Sequence, residues 1–404
     1  SFPTRRSSDL TFYKNNTSQG TAFTGITGTY MPSHAAYNST GYANYGQQPF
    51  NYSPPSGFKA LNAYNLPDST IKAGNKYMDA TLYTGTGSSQ SIVNSGGFKP
   101  DLVWTKSRSN AISHHLTDSV RGADKALYSN ATNAEATYSG DISAFNSNGF
   151  TVGNDGSQST STYTYVGWQW QAGQGSTSSN TSGSITSTVS VNATAGFSVV
   201  TWTAPSSGAF TVGHGLGVAP AFIVTKSRSN TYSWGTYHQS IGNTGRLDLN
   251  ASSATTTTSN SAWNNTSPTS SVFSMGSDWA GSGITYVAYC WSEIAGFSKF
   301  GSYTGNGSTD GTFVYTGFRP KFVLIKRNDT TGAWNTYDSS RNTYNVVDLR
   351  LQPNSTVAEA SVVTLDFLSN GFKLRTTDVD RNASGGTYIY ACFAENPTKF
   401  ALAR

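Results

Sequence analysis

The chain has 404 residues, of which 12% are charged and 13% are aromatic, and its formal net charge is +5. The Lys and Arg residues form no long basic run, which argues against nucleic-acid binding. No apolar stretch approaches the ~18 residues of a membrane-spanning helix, and two cysteines cannot build a disulfide framework. We therefore expect neither a nucleic-acid partner nor membrane insertion.

Residues 11–66 have a pattern of their own. The run 10–16 (LTFYKNN) predicts a strand that ends in a turn, and the runs 44–50 (NYGQQPF) and 54–61 (PPSGFKAL) follow it. Together these runs resemble the C-terminal third of a SPRY (B30.2-like) domain, as found in marine phage proteins. The resemblance implies a concanavalin-like β-sandwich. Its upstream strands are missing, so we expect exposed sheet edges and half a core here.

Residues 1–10 (SFPTRRSSDL) resemble the translation of sequencing-adapter read-through in metagenomic assemblies. We interpret this segment as non-native and leave it out of the reasoning on the fold. On this interpretation the chain is the distal part of a longer gene product, which accounts for the missing SPRY-like strands.

The remaining chain contains an internal repeat. A Gly/Pro turn and an apolar strand that ends in lysine occur three times, at Lys106, Lys226 and Lys326. A second apolar run begins 59, 60 and 62 residues after these lysines, and unrelated segments would not keep that spacing. The sequence predicts three modules, at residues 77–172, 195–295 and 296–404. A linker or edge strand is predicted at residues 173–194.

The second apolar run predicts a central strand. In the middle copy, residues 286–291 (YVAYCW) are apolar on both faces, which indicates burial between two layers. Short strands between frequent turn signals favour an all-β fold of tandem, jelly-roll-like β-sandwich repeats. Because full burial of a large apolar side chain contributes about 2–3 kcal/mol, we expect each module to fold alone.

Several runs within residues 77–404 resemble a domain of unknown function that is common in marine tailed-phage structural and tail-fibre-like proteins. They are KSRS (106–109), DSVR (118–121), YVAYCW (286–291), FSKFG (297–301), TGFRP (316–320) and FAENP (393–397). The resemblance implies a virion protein. It brings no catalytic residues with it.

A lysine, an aspartate and an arginine recur at matching positions in the first and third copies. They are Lys106, Asp118 and Arg121, and Lys326, Asp338 and Arg341. Such a set suits binding of an acidic sugar, an acid–base centre, or ion pairs that hold a loop against a strand. The second copy has His238 and Ile241 at the last two positions, so the module does not need the full set. We therefore favour structural ion pairs.

Features of metalloproteins and hydrolases are weak. His114 and His115 are adjacent and would point to opposite faces of a strand, which does not suit a metal site. Cys290 and Cys392 are equivalent positions of neighbouring copies, and we expect buried small side chains rather than a disulfide. Gly-x-Ser-x-Gly is absent, and no carboxylate pair recurs in every copy. We predict a protein that is not an enzyme, with no cofactor and no metal.

Aromatic residues in polar loops are the remaining binding candidates. Such residues stack on sugar rings, or alternatively cap the core of a sandwich. They are Trp234, Tyr237, Trp263, Trp279, Trp334 and Tyr337.

These features lead to a functional hypothesis. We expect a tail-fibre-like structural protein of the extracellular phage particle, which projects loops toward a host-surface glycan. One alternative is a spacer or capsid-decoration protein that binds other virion subunits, and another is a polysaccharide depolymerase. The expected partners are other virion proteins, a host glycan and, by analogy with fibre proteins, further copies in a homotrimer.

Overall fold

The computed structural model describes residues 10–15, 17–25, 48–49, 51–53, 69–154, 156–258 and 261–395. Residues 1–9 of the adapter-like segment lie outside these ranges, and so does the run 54–61 of the SPRY-like resemblance. The chain divides into two compact units, residues 1–68 and residues 69–404.

The described part of the first unit contains one antiparallel hairpin. Its strands are β1 (Leu10–Lys14) and β2 (Thr17–Phe23). Asn15, which follows β1, has a φ of 49°, a left-handed conformation that asparagine tolerates in turns. The strand predicted from residue 10 and the turn that follows it at Asn15 are thus present.

The second unit contains the three modules, each of which has two antiparallel sheets that we call the inner sheet and the outer sheet. In module one the inner sheet has the order β3-β11-β5-β6-β7-β8, and the outer sheet has the order β4-β10-β9. A 3-10 helix (Gly74–Lys76) precedes β3, and helix α1 (Gly156–Ser159) precedes β11. The strands are β3 (Met78–Thr84), β4 (Gln90–Val93), β5 (Leu102–Ser107), β6 (His115–Asp118), β7 (Lys125–Tyr128), β8 (Ala136–Thr137), β9 (Ile142–Asn146), β10 (Gly149–Val152) and β11 (Thr164–Trp170).

Module two has the largest inner sheet, with the order β12-β13-β14-β21-β16-β17-β18-β19, and its outer sheet is β15-β20. Strands β12 and β13 belong to the segment predicted as a linker or edge strand. A 3-10 helix (Ser277–Trp279) precedes β21. The strands are β12 (Ser178–Asn180), β13 (Ser187–Asn192), β14 (Phe197–Thr203), β15 (Phe210–Gly213), β16 (Phe222–Ser227), β17 (Gly235–His238), β18 (Gly245–Asp248), β19 (Thr256–Thr257), β20 (Val272–Met275) and β21 (Thr285–Trp291).

Module three has two sheets of equal size. The inner sheet has the order β22-β29-β24-β25, and the outer sheet has the order β23-β28-β27-β26. Helix α2 (Val379–Asn382) precedes β29. The strands are β22 (Ser298–Thr304), β23 (Phe313–Tyr315), β24 (Pro320–Arg327), β25 (Trp334–Asp338), β26 (Val347–Arg350), β27 (Ala360–Leu368), β28 (Gly371–Leu374) and β29 (Thr387–Ala394).

Apolar side chains fill the space between the two sheets of each module. In module one, for example, Val103 of the inner sheet and Ile92 and Phe150 of the outer sheet belong to one buried cluster. The prediction of an all-β fold of sandwich architecture is confirmed.

The opposite face of each inner sheet lies in a core that the three modules share. Trp170 of module one packs against Trp291 of module two, with ring centroids 5.9 Å apart, and against Phe322 of module three at 5.7 Å. Phe222 of module two stacks on Phe300 of module three at 5.9 Å. This shared core explains why strands such as β21 are apolar on both faces. One face contacts the outer sheet, and the other contacts the neighbouring modules.

Candidate functional site: module junctions and an exposed aromatic face

The Asp118–Arg121 pair lies at the junction of modules one and two. Both side chains are fully buried, and Arg121 Nε donates to Asp118 Oδ2. Arg121 also pairs with Glu135 at 3.0 Å. Tyr289 of module two donates its hydroxyl to Asp118 Oδ2 at 2.8 Å. Glu135 continues the junction, because it pairs with Arg228 of module two at 3.0 Å.

The Asp338–Arg341 pair forms the corresponding junction between modules three and one. The two fully buried groups are 2.6 Å apart, and Trp168 of module one donates its indole N–H to Asp338 Oδ2 at 3.0 Å. Glu359 pairs with Arg341 at 3.2 Å and with Arg108 of module one at 2.8 Å. Burial alone would raise the pKa of Asp338, but the charge and hydrogen bonds of Arg341 hold that pKa below its usual value.

The third junction, between modules two and three, replaces the ion pair with a neutral histidine. His238 occupies the aspartate position, and its Nε2 donates to the backbone oxygen of Tyr390 at 3.1 Å. Its Nδ1 accepts the backbone N–H of Ser240 at 3.1 Å. Ala391 of β29 occupies the position that Trp168 has in β11 and Tyr289 has in β21. At this junction, therefore, both partners of the hydrogen bond differ: histidine replaces the aspartate acceptor, and alanine replaces the tryptophan or tyrosine donor.

At each of the three junctions, a backbone hydrogen bond also joins the two modules. The N–H of Glu135 donates to Arg228 O at 2.7 Å, and the N–H of Glu359 donates to Arg108 O at 2.8 Å. At the third junction, the N–H of Thr255 donates to Asn328 O at 3.0 Å. Each module therefore contacts both of the others, and the three junctions close a ring within one chain.

The recurrent lysines lie apart from these carboxylates, which corrects the grouping expected from the sequence. The Nζ atoms of Lys106 and Lys226 each donate to the next residue's carbonyl oxygen at 2.7 Å, and that of Lys326 does so at 2.5 Å. Burial lowers the pKa of all three ammonium groups to about 8. Among the described residues, these lysines form no ion pair with Asp118 or Asp338.

The six aromatic residues were expected in loops, but Tyr237, Trp334 and Tyr337 lie in strands β17 and β25. All six are buried, which rules out stacking on sugars in this structure and agrees with the alternative that they pack on the core. Trp234 and Trp334 donate their indole N–H groups to backbone oxygens of the preceding module, Tyr128 at 2.8 Å and Asp248 at 3.0 Å. These hydrogen bonds satisfy the indole N–H groups of the two buried rings at the junctions. The remaining members are equally enclosed, with Trp263 1%, Trp279 2%, Tyr237 5% and Tyr337 0% exposed.

The two adjacent histidines have separate partners. His114 Nδ1 accepts the indole N–H of Trp104 at 3.0 Å, and His115 Nδ1 lies 2.7 Å from Asp141 Oδ2. The described residues contain no group of three His, Cys, Asp or Glu side chains placed to hold a metal ion.

An aromatic pair that the sequence reasoning missed is exposed on the outer sheet of module three. Phe313 and Tyr315 of β23 are 45% and 64% exposed, while Val314 between them is buried. Alternate strand residues share a face and lie about 7 Å apart, so the two rings form an apolar surface. Phe313 and Tyr315 are opposite Lys373 and Gly371 of β28, which extend the same face.

Gly371 and a group of charges complete this surface, which we call the aromatic face. A Cβ at Gly371 would lie 2.1 Å from the backbone oxygen of Val314 and 3.1 Å from Cε2 of Phe313, so the glycine allows the close approach of β23 and of the Phe313 ring. Beside it, Lys373 Nζ lies 2.5 Å from Asp310 Oδ1. The hydrogen bond from Lys373 lowers the pKa of Asp310, which keeps the exposed carboxylate charged. The arrangement suits a ligand with flat apolar faces and polar edges.

The other modules lack such a surface. Their residues equivalent to Phe313 and Tyr315 are Ser91 and Val93 in β4, and Thr211 and Gly213 in β15. The sequence feature that could have identified this exposed pair is the Phe-Val-Tyr run at residues 313–315. Because all three residues are apolar or aromatic, alternation alone does not show which face meets solvent.

A family model described as a domain of unknown function (DUF7483) matches residues 73–397. No curated protein and no solved structure matches the chain significantly. In the described ranges, no helix is both long enough and apolar enough to span a membrane.

Proposed function

The chain belongs to the DUF7483 family of domains of unknown function, and we propose that it is a tail-fibre-like structural protein of a virion that attaches to a host-surface glycan. The aromatic face of module three carries this proposal. The virion assignment rests on the resemblance of residues 77–404 to tailed-phage structural proteins. Other virion proteins and further copies in a homotrimer complete the proposed set of partners.

Sugar rings have apolar faces and hydroxyl-rich edges, which suit an exposed phenyl and phenol ring beside charged hydrogen-bonding groups. Phe313 and Tyr315 supply the rings, and Lys373 and Asp310 supply a donor and an acceptor. Sheet pairing of β23 with β28 fixes the backbone of Phe313, Tyr315 and Lys373, which reduces the conformational entropy that is lost when a ligand binds. The proposed attachment is therefore through a sheet face rather than through loops.

Glycan-array binding followed by calorimetry tests this function. Phe313→Ala and Tyr315→Ala are each expected to weaken glycan binding by at least tenfold. Tyr344→Ala is the matched control, because Tyr344 is 83% exposed and lies outside the aromatic face. Equal binding by Tyr315→Ala and the unsubstituted protein would exclude the aromatic face as the glycan site.

A second candidate function is the structural spacer that binds other virion subunits. The burial of Trp234 and Trp334 favours it, because their indole N–H groups donate to the preceding module and so help to hold the modules together. Absence of glycan binding, together with stable binding to capsid or tail subunits, would select this alternative.

A further inference from the structure

The charged side chains of the aromatic face form one chain of ion pairs. Asp310 lies 2.5 Å from Lys373 Nζ and 3.6 Å from Arg375 Nη1. Arg375 Nε in turn donates to Asp366 Oδ2 at 2.5 Å, and Asp366 is directly opposite Lys373 in the sheet. Two cations and two carboxylates therefore leave this group without net charge.

The four side chains differ in how far they are open to a ligand. The side chain of Asp310 is 80% exposed, whereas that of Asp366 is 9% exposed. The side chains of Lys373 and Arg375 are 27% and 38% exposed. The charge that is most open to a ligand is thus a carboxylate, which only accepts hydrogen bonds when it is ionised.

Asp310 is held in place by the loop between β22 and β23. The buried Asn382 donates its amide group to Asn306 Oδ1 at 3.0 Å and to Ser308 O at 2.8 Å. Asn306 Nδ2 donates to Asp310 O at 3.0 Å, and the N–H of Asp310 donates to Ser308 Oγ at 3.1 Å. Phe313 follows Asp310 by three residues, so the carboxylate lies at the Phe313 end of the aromatic face.

The charges and the two exposed rings occur together in one module only. The loops equivalent to that of Asp310 are residues 85–89 (GTGSS) and 204–209 (APSSGA), which contain no charged residue. The positions of Lys373 and Arg375 are also uncharged in the other modules, with Thr151 and Gly153 in module one and Ser274 and Gly276 in module two. Because all three modules share the fold, the fold does not require these charges, and their occurrence beside the rings indicates a common role in binding.

We propose that the aromatic face selects a neutral hexose glycan over an anionic glycan, and that Asp310 sets this preference. The inference rests on the proposed function, since it names the class of glycan that the face binds. Two adjacent hydroxyl groups of one sugar donate to the Asp310 carboxylate, while the apolar face of that sugar stacks on Phe313. The next sugar stacks on Tyr315.

The carboxylate has room for these donors, because it offers about four acceptor sites and Lys373 uses one of them. An anionic sugar such as a uronic acid brings a second carboxylate toward Asp310. The two like charges repel each other, and this repulsion disfavours the anionic ligand.

A glycan array that carries neutral hexose oligosaccharides and uronic-acid oligosaccharides of the same linkages tests the proposal, followed by calorimetry on the full chain. We expect neutral glycans to bind, and their uronic-acid counterparts to bind about tenfold more weakly or less. The affinity for the neutral glycan should not depend on salt concentration, because this ligand has no charge for salt to screen.

Asp310→Asn keeps the size of the side chain and removes its charge. The affinity for the neutral glycan should fall about tenfold, because hydrogen bonds to a charged acceptor are the stronger ones. The affinity for the uronic-acid glycan should rise, because Lys373 and Arg375 lose a countercharge. Asp329→Asn is the matched control and should change neither affinity. Asp329 is exposed and pairs with Arg327 at 2.8 Å, but it follows β24 of the inner sheet.

The outcomes separate this inference from the proposed function. Tighter binding of uronic-acid glycans than of neutral glycans, abolished by Tyr315→Ala, would overturn the preference and leave the glycan site in place. Equal affinities of Asp310→Asn and Asp329→Asn for the neutral glycan would overturn the role of Asp310. Absence of binding to both classes of glycan would overturn the proposed function and this inference together.

Discussion

Trp168 donates its indole N–H to Asp338 at 3.0 Å, although the two residues are 170 positions apart. Arg341 pairs with the same carboxylate, and its guanidinium lies 5.6 Å from the centre of the Trp168 ring. The contact connects the central strand of one module to the edge of another. It indicates that the three modules unfold as one cooperative unit.

Removing the buried carboxylate should be costly. Asp338→Ala removes the closer of the two carboxylates that pair with the buried Arg341 and leaves only Glu359 at 3.2 Å, and we expect a loss of about 3 kcal/mol in the free energy of unfolding. Urea denaturation followed by tryptophan fluorescence measures this loss. Asp310→Ala is the control, because Asp310 also belongs to an ion pair, with Lys373, but is exposed, and the urea midpoint should not change detectably. Equal midpoints for the two variants would contradict a stabilising role of the junction.

An isolated module should not fold, contrary to the expectation from the sequence. Residues 173–295 contain module two with its edge strands, but alone they expose Phe197, Val199 and Trp291, which the shared core buries. Exposed apolar surface of this size favours aggregation. Dye binding to apolar surface and proton NMR should show a loosely packed or aggregated chain, whereas residues 69–404 should unfold cooperatively. A sharp unfolding transition of the isolated module would refute this prediction.

The junction at His238 should make stability depend on pH. Burial lowers the pKa of His238 from 6.5 to about 4, so the folded protein holds the imidazole neutral. The contribution of this neutral histidine to the free energy of unfolding is complete above pH 6.5 and is lost as the pH falls toward 4. At 1.36 kcal/mol per pH unit, the loss amounts to about 3 kcal/mol.

His238→Gln tests this contribution, because glutamine keeps a donor for Tyr390 O and does not titrate. The free energy of unfolding of the variant should change less between pH 7 and pH 4 than that of the unsubstituted protein. Parallel pH profiles would show that His238 does not titrate on unfolding.

The two thiols should be unreactive in the folded protein. Cys290 and Cys392 are free and fully buried, and burial raises the pKa of both thiols. Because the thiolate is the reactive form, a thiol reagent should modify neither residue under native conditions. Both should react in denaturant without prior reduction. Rapid modification of the native protein would show that these strands open readily.

The sequence by itself determined the strands and the repeat. Apolar runs between Gly, Pro and Asn turns defined the lysine strand and the central strand, since backbone pairing and local alternation are short-range properties. The constant spacing from Lys106, Lys226 and Lys326 to the next apolar run placed equivalent strands in each module. The charged pairs were also visible, because Asp118 and Arg121, like Asp338 and Arg341, are three positions apart.

Only the tertiary structure decided what covers each side chain. The pattern of β21 indicated burial on two faces, but it did not reveal that the second face meets other modules, because the hydrophobic effect has no directional preference. Trp234 and Trp334 are buried by segments about a hundred residues away, whereas Phe313 and Tyr315 stay exposed because no segment in the described part of the chain covers them. The position of β3 at the edge of its sheet is likewise a property of the assembled sheet. An edge strand differs from a central strand only in whether a second strand pairs with its other side, and local sequence does not encode this long-range pairing.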